Sequence, residues 1–190
     1  MLSYYSTRRC ICTKQKIRYG EEEAAEILYR LFGIQTIRAD DGHYENMPDL
    51  QIVNSDRYIE VTHTGHDFQD AIDSYPLEKR PPIFEYSFSD ILSRIKRKAK
   101  KYENRRGKIG LFCFATTDEI SSFLNLFQDS IRENFYKSQF INCIQKSPFN
   151  SIFLCEFDIH SASDKYCVDE LHSTHKMRLG GKTLHIIERK

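Results

Sequence analysis

No run of about eighteen apolar residues occurs in the chain, which leaves nothing to span a bilayer as a helix. The opening residues, Met1 to Cys10, lack the apolar core of a secretory signal. The six cysteines (Cys10, Cys12, Cys113, Cys143, Cys155 and Cys167) contain no Cys-x-x-Cys pair, which argues against a zinc site or a disulfide framework. Cys113 and Cys155 sit inside apolar runs, where a free thiol behaves as a small hydrophobe. These absences predict a protein of the reducing cytoplasm with no membrane partner. Also missing are a Gly-rich phosphate loop ending in Gly-Lys-Ser/Thr and a Gly-x-Ser-x-Gly elbow, so ATP hydrolysis and serine-hydrolase chemistry have no foundation. No helix-turn-helix or zinc-finger pattern, repeat, low-complexity tract or linker is found. The 190 residues therefore read as one domain, 1–190, long enough to bury a proper core.

What is present is ordinary in the mean and uneven in detail. Forty per cent apolar and 29% charged residues describe a globular protein, and the net charge is only +1. Between Arg94 and Lys108, however, stand nine basic residues and one acidic, Glu103, so that window carries +8 and the rest of the chain −7. A concentration of this kind exceeds what a solvated helix face needs and points to a polyanionic partner.

Periodicity orders the elements. Residues 1–19 read as a loop or short strand. Residues 20–33 form a helix: Glu21, Glu22 and Glu23 favour its first turn, Ala24, Ala25, Ile27, Leu28 and Leu31 supply an apolar face, and Gly33 stops it. A strand over 34–38, a polar loop over 40–46 and a hairpin over 47–63 follow. Residues 64–82 are loop-like and partly helical, 90–104 a helix, and 109–115 a buried strand. Thr117 or Asp118 caps a further helix to about residue 127; 129–146 is helical, and 151–158 and 183–188 are late strands. The pattern alone gives an α/β or α+β class.

The hairpin carries the chemistry. Leu50, Ile52, Tyr58, Ile59 and Val61 supply its apolar positions around an Asn-Ser-Asp turn. Asp49 opens the first strand after a proline, and Glu60 lies between Ile59 and Val61 in the second. A carboxylate among strand apolars is costly to bury unless something positive meets it. Two of them on adjacent strands can share a hard cation, magnesium or manganese, through oxygen ligands.

Pro48-Asp49, followed after about ten residues by Ile59-Glu60-Val61-Thr62, resembles the PD-(D/E)XK motif of the restriction-endonuclease-like nucleases. The resemblance covers roughly residues 20–115, with 116–190 adding C-terminal helices and strands. It departs from the pattern at Thr62, which stands where the lysine usually does. It implies a central mixed β-sheet flanked by helices, with both carboxylates at one edge. It further implies a metal-dependent endonuclease acting on DNA rather than RNA, with Mg or Mn held by Asp49, Glu60 and a backbone oxygen near Val61. In such proteins a glutamate of the opening helix often supports the metal, and Glu22 is at the family-like distance from Gly33.

Lys98 shares one face of the 90–104 helix with Ile91, Ile95 and Tyr102, at spacings of 4, 3 and 4, and is the candidate for a relocated catalytic amine. Thr62 would hydrogen-bond a water at the metal, and His63 would serve as a polar auxiliary beside it. Arg94, Arg97, Lys101, Arg105 and Arg106 would hold the phosphate backbone, giving affinity and salt dependence rather than sequence choice. Two other readings stay open. One is a nuclease-derived nucleic-acid-binding protein that has lost catalysis. The other is a protein-interaction factor in which Asp49 and Glu60 are plain strand-edge charges. A homodimer would let both strands of a duplex be cut, but no self-complementary patch is identifiable in the chain.

Overall fold

Three consecutive glutamates begin helix α1 (Glu21–Phe32), and one of them closes its cap: the Gly20 N–H donates to the Glu23 carboxylate at 2.8 Å. The helix ends as expected at Gly33, in the left-handed conformation (φ 66°), whose N–H donates to the Tyr29 carbonyl while that of Ile34 reaches Leu28. Ala24, Ile27 and Leu28 are its buried face. The computed structural model describes residues 20–39, 47–64, 83–128, 133–157 and 170–189. The expectations for residues 1–19, for the loop 40–46 and for most of 64–82 lie outside this set.

After α1 come strands β1 (Thr36–Arg38), β2 (Leu50–Ile52) and β3 (Tyr58–His63), then helix α2 (Ile83–Lys101) and β4 (Ile109–Thr116). Helices α3 (Thr117–Gln128) and α4 (Glu133–Lys146), strand β5 (Phe149–Phe157) and the pair β6 (Leu171–Leu179) and β7 (Lys182–Arg189) complete the order. The seven strands among the described residues belong to one mixed sheet, in the order β1-β2-β3-β4-β5-β7-β6. β1, β2 and β3 are antiparallel neighbours, β3, β4, β5 and β7 run parallel, and β6 closes the far edge antiparallel to β7.

Two apolar layers hold this sheet. One face packs against α2, α3 and α4 through Ile91, Ile95, Leu111, Cys113, Phe123, Phe140, Ile152 and Ile186. The other packs against α1 through Ile27, Leu28, Ile59, Val61, Phe112, Phe114, Phe153 and Ile187. β4 is buried along its whole length because both layers use it, which is why its sequence is a continuous apolar run rather than an alternation. The expected mixed sheet flanked by helices is found. α2 begins seven residues before the expected start, and β6 was not anticipated at all. No helix among the described residues is long and apolar enough to cross a membrane.

Candidate functional site

The β2–β3 turn sets the geometry of the site. Asn54 takes positive φ (57°), which asparagine tolerates better than most residues, and the chain reverses so that Leu50 pairs with Ile59 and Gln51 with Tyr58. One step further along this register, Asp49 comes opposite Glu60. Ile59 and Val61 face α1, so Glu60 between them faces α2. The Val61 N–H turns towards the edge where β2 has ended and donates to Asp49 Oδ2 at 2.6 Å. Because the N–H and C=O of one strand residue point the same way, the Val61 carbonyl is directed to that edge as well.

Glu60 is 1% exposed and well met. Lys98 of α2 donates to Oε1, the Tyr102 hydroxyl donates to Oε2 at 2.6 Å, and the Lys101 ammonium lies 3.9 Å from Oε1. Tyr102, itself fully buried, is also 3.1 Å from the Met47 carbonyl, tying the end of α2 to the approach to Asp49. Its hydroxyl is pushed well above the ordinary phenol range by burial, then by the Glu60 carboxylate. Asp49 has no such partners. Its carboxyl is pushed up to about 7, first by burial and then by the charge of Glu60, against the opposing pull of the Val61 N–H. Next to the Glu60–Lys98 pair there is thus a carboxyl whose negative charge is incompletely compensated.

The remaining predicted residues divide. Glu22 is exposed on α1; Glu21, one residue earlier, adds its charge to those raising Asp49 and also pairs with Arg38 at 3.2 Å. Of the three glutamates that open α1, it is the charge of Glu21 that is felt at Asp49, one position or about 100° of helix from Glu22. Thr62 is buried on the α2 side of β3, two residues beyond Glu60. His63 lies on the other face, its ring stacked on Phe114 at 5.2 Å, and so is not beside the carboxylates.

Among the five basic residues assigned to phosphate, Arg97 and Lys101 are exposed as required. Arg105 is half-buried, with its guanidinium 4.9 Å from the Tyr58 ring centroid and 3.4 Å from Met47 Sδ. Arg94 is only 8% exposed, four residues before Lys98 and turned inward with it. Arg106 pairs with Glu103 and donates to the carbonyls of Lys146 and Ser147, where it caps the C-terminus of α4. Arg94 is thus turned into the folded framework, while Arg106 is exposed and already engaged with Glu103 and the end of α4.

A second buried acidic group was missed. Glu119 is fully buried, accepting from the Thr64 hydroxyl and, at 2.7 Å, from the Thr116 N–H. The Thr116 hydroxyl accepts from the Glu119 N–H at 3.3 Å, so Thr116, not Thr117 or Asp118, caps α3. Glu119 Oε1 and Asp90 Oδ2 are both buried without a hydrogen-bond partner. Burial and the Glu119 charge push the Asp90 carboxyl up to about 7. The signal was present as Thr116-x-x-Glu119, a capping box spanning the strand–helix junction.

The site thus offers hard oxygen donors from Asp49, Glu60 and Val61, an ammonium at Glu60, and further basic side chains along α2. Among the described residues no group of three or more His, Cys, Asp or Glu side chains is arranged to hold a metal ion, so a cation there would rest on the two carboxylates and the backbone. No family model, curated protein or solved structure matches the chain.

Proposed function

We propose that the protein is a metal-dependent nuclease that hydrolyses phosphodiester bonds in DNA, of the restriction-endonuclease-like type. The observation that carries this reading is the convergence of Asp49 and Glu60 from adjacent strands with Lys98 arriving from the following helix. The element order helix–strand–hairpin–helix–strand, ending in a strand parallel to β3, agrees with what the motif resemblance implies.

The donor chemistry suits magnesium or manganese: carboxylate and carbonyl oxygens, and an Asp49 whose raised pKa marks a charge that a divalent ion would offset. Asp49, Glu60 and the Val61 carbonyl would hold the ion. When bound, it supplies a lowered pKa for water and charge compensation for the phosphoryl oxygens. The chain does the rest. Lys98, held against Glu60 Oε1, would supply the positive charge that Thr62 cannot, offsetting negative charge that builds on the phosphoryl group. Tyr102 occupies Glu60 Oε2 and so keeps Oε1 turned towards Lys98. Arg97 and Lys101 hold the backbone beside the scissile bond.

A second reading has its own support. Both oxygens of Glu60 are engaged by protein donors, and no lysine follows it in β3. That arrangement also suits a nucleic-acid-binding protein without catalysis. Incubation with supercoiled plasmid separates the two. Nicking or linearisation with magnesium, stopped by EDTA and lost in Asp49→Asn, is the expected result. Intact plasmid at every metal tested, with duplex still bound, leaves the binding protein.

A further inference from the structure

On the flank of α2 away from Glu60 lies an open groove of about 400 Å³ between α2 and α4, lined by Lys96, Ala99, Gln139, Asn142, Cys143, Lys146 and Ser147. Its chemistry has one sign. None of these residues is acidic, and Lys96 and Lys146 make no ion pair among the described residues. Gln139, Asn142 and Lys146 follow at i, i+3 and i+7 along α4 and so share one of its faces, with Gln139, Asn142 and Lys146 all exposed. The negative end of α4 does not cancel this charge. Its last carbonyls are already capped by Arg106, and Lys182 donates to the Ser147 carbonyl from the β7 side.

We infer that this groove is a second contact for a nucleic-acid duplex, engaged by the same molecule that reaches Glu60; the inference rests on the proposed nuclease reading. Among the described residues α2 lies between the two sites, and a helix with its side chains is about 10 Å thick, less than the width of a duplex. A duplex lying across α2 would meet Lys101 and Arg97 on one flank, Lys100 on the crest and Lys96 on the other. Lys96 and Lys146 bind phosphates as point charges. Gln139 and Asn142 present the paired donor and acceptor that can read a base edge or a sugar, which a simple basic surface does not. The groove therefore extends the footprint beyond the site of cleavage and supplies the contacts that have a choice of sequence.

The test uses the full chain and a fluorescein-labelled 20-base-pair duplex in EDTA, so that binding is read without cleavage. Lys96→Glu combined with Lys146→Glu should weaken binding tenfold or more and make the salt dependence shallower by about two counterions. Lys176→Glu combined with Arg178→Glu, an equal charge change on the opposite face of the sheet at β6, should alter affinity less than twofold. In the unaltered protein, duplex should protect Lys96 and Lys146, but not Lys176, from acetylation mapped by mass spectrometry. Equal losses in the two double variants, or no protection at Lys96 and Lys146, overturn the inference. If plasmid is still cut with magnesium in that case, the groove assignment alone falls. A protein that neither binds duplex nor cuts plasmid removes the nuclease reading along with it.

Discussion

Helix α2 covers two buried carboxylates of β3 and its surroundings, and it treats them differently. At Glu60 it delivers an ammonium from Lys98 and a hydroxyl from Tyr102, and the second lysine, Lys101, stands close by. At Glu119 it delivers mainly Asp90 and Arg94, and the hydrogen bonds come instead from Thr64 and the Thr116 backbone. The two arrangements have different consequences. Glu60 sits where a neighbouring strand stops, beside an incompletely neutralised Asp49, so a charged ligand can approach. Glu119 is locked into the start of α3, a structural duty that leaves one oxygen unused. Burial of a carboxylate is therefore not by itself the mark of a site; what distinguishes Glu60 is the company of two lysines, Lys98 and Lys101, and of a second carboxyl at Asp49.

The largest effect that would break this comparison is on cleavage. Asp49→Ala and Glu60→Ala should each lower plasmid cleavage by about a hundredfold or more while duplex binding in EDTA is kept or tightened, since these groups repel phosphate when no cation is present. Lys98→Ala should fall mainly in kcat, whereas Lys96→Ala should move only the binding strength. Full cleavage in either carboxylate variant would place Glu60 in the same structural category as Glu119.

Next in size is the converse experiment. Glu119→Ala should leave cleavage per folded molecule unchanged and destabilise the protein by about 2–4 kcal/mol, combining a lost helix cap with buried donors left unmet. Urea denaturation measures it, with Glu119→Gln as the milder control because the amide oxygen can still accept from Thr64 and Thr116. If Glu119→Ala melts like the parent but no longer cuts, the second cluster is functional and the contrast fails.

A smaller effect is expected from pH. Asp90 has its carboxyl raised to about 7, against roughly 3.9 in an unfolded chain, so between those values the folded state holds a proton that the unfolded state does not. Its contribution to stability is therefore greatest below pH ~4 and is lost as the pH rises through about 7. Asp49, raised to about 7 as well, acts in the same direction. Urea midpoints at pH 5 and pH 8 should show this decline, and Asp90→Asn should remove about 1 kcal/mol of it after allowance for partial exposure. An unchanged pH slope in Asp90→Asn would mean that Asp90 and Glu119 do not share the burden as their positions imply.

Much of the fold was readable because its signals are local. The Asn-Ser-Asp turn with flanking apolar residues defined the hairpin, and Gly33 and the glutamates bracketed α1. Lys98 was readable because Ile91, Ile95 and Tyr102 share its face. The same helical spacing places Arg94 inward, four residues before Lys98, but the density of charge around it pointed to a phosphate-binding face. The contacts of Arg106 were not readable because it follows the helix, and its partners at the end of α4 are about forty residues away in sequence. β6 escaped because Leu171-His-Ser-Thr-His-Lys-Met-Arg-Leu is an edge strand, mostly polar, whose alternation is broken by a register shift between Ser173 and His175. Glu21 and Glu22 could not be separated without knowing the exit angle of α1.

The finest test of the comparison concerns Tyr102, whose buried hydroxyl donates to Glu60 as that of Thr64 donates to Glu119. Tyr102→Phe removes only the hydroxyl and keeps the ring that fills the core, so the stability cost should be about 1 kcal/mol. If the hydroxyl merely satisfies a buried acid, cleavage should follow the folded fraction and nothing more. If it holds Glu60 Oε1 towards Lys98, then releasing Oε2 lets the carboxylate offer both oxygens to a cation. The ion preference should then shift towards calcium, which accepts bidentate carboxylates more readily than magnesium. Thermal shift with each ion, in the parent and in Tyr102→Phe, reads this directly. A larger calcium-induced shift in the variant supports the orienting role, and identical shifts reduce Tyr102 to packing.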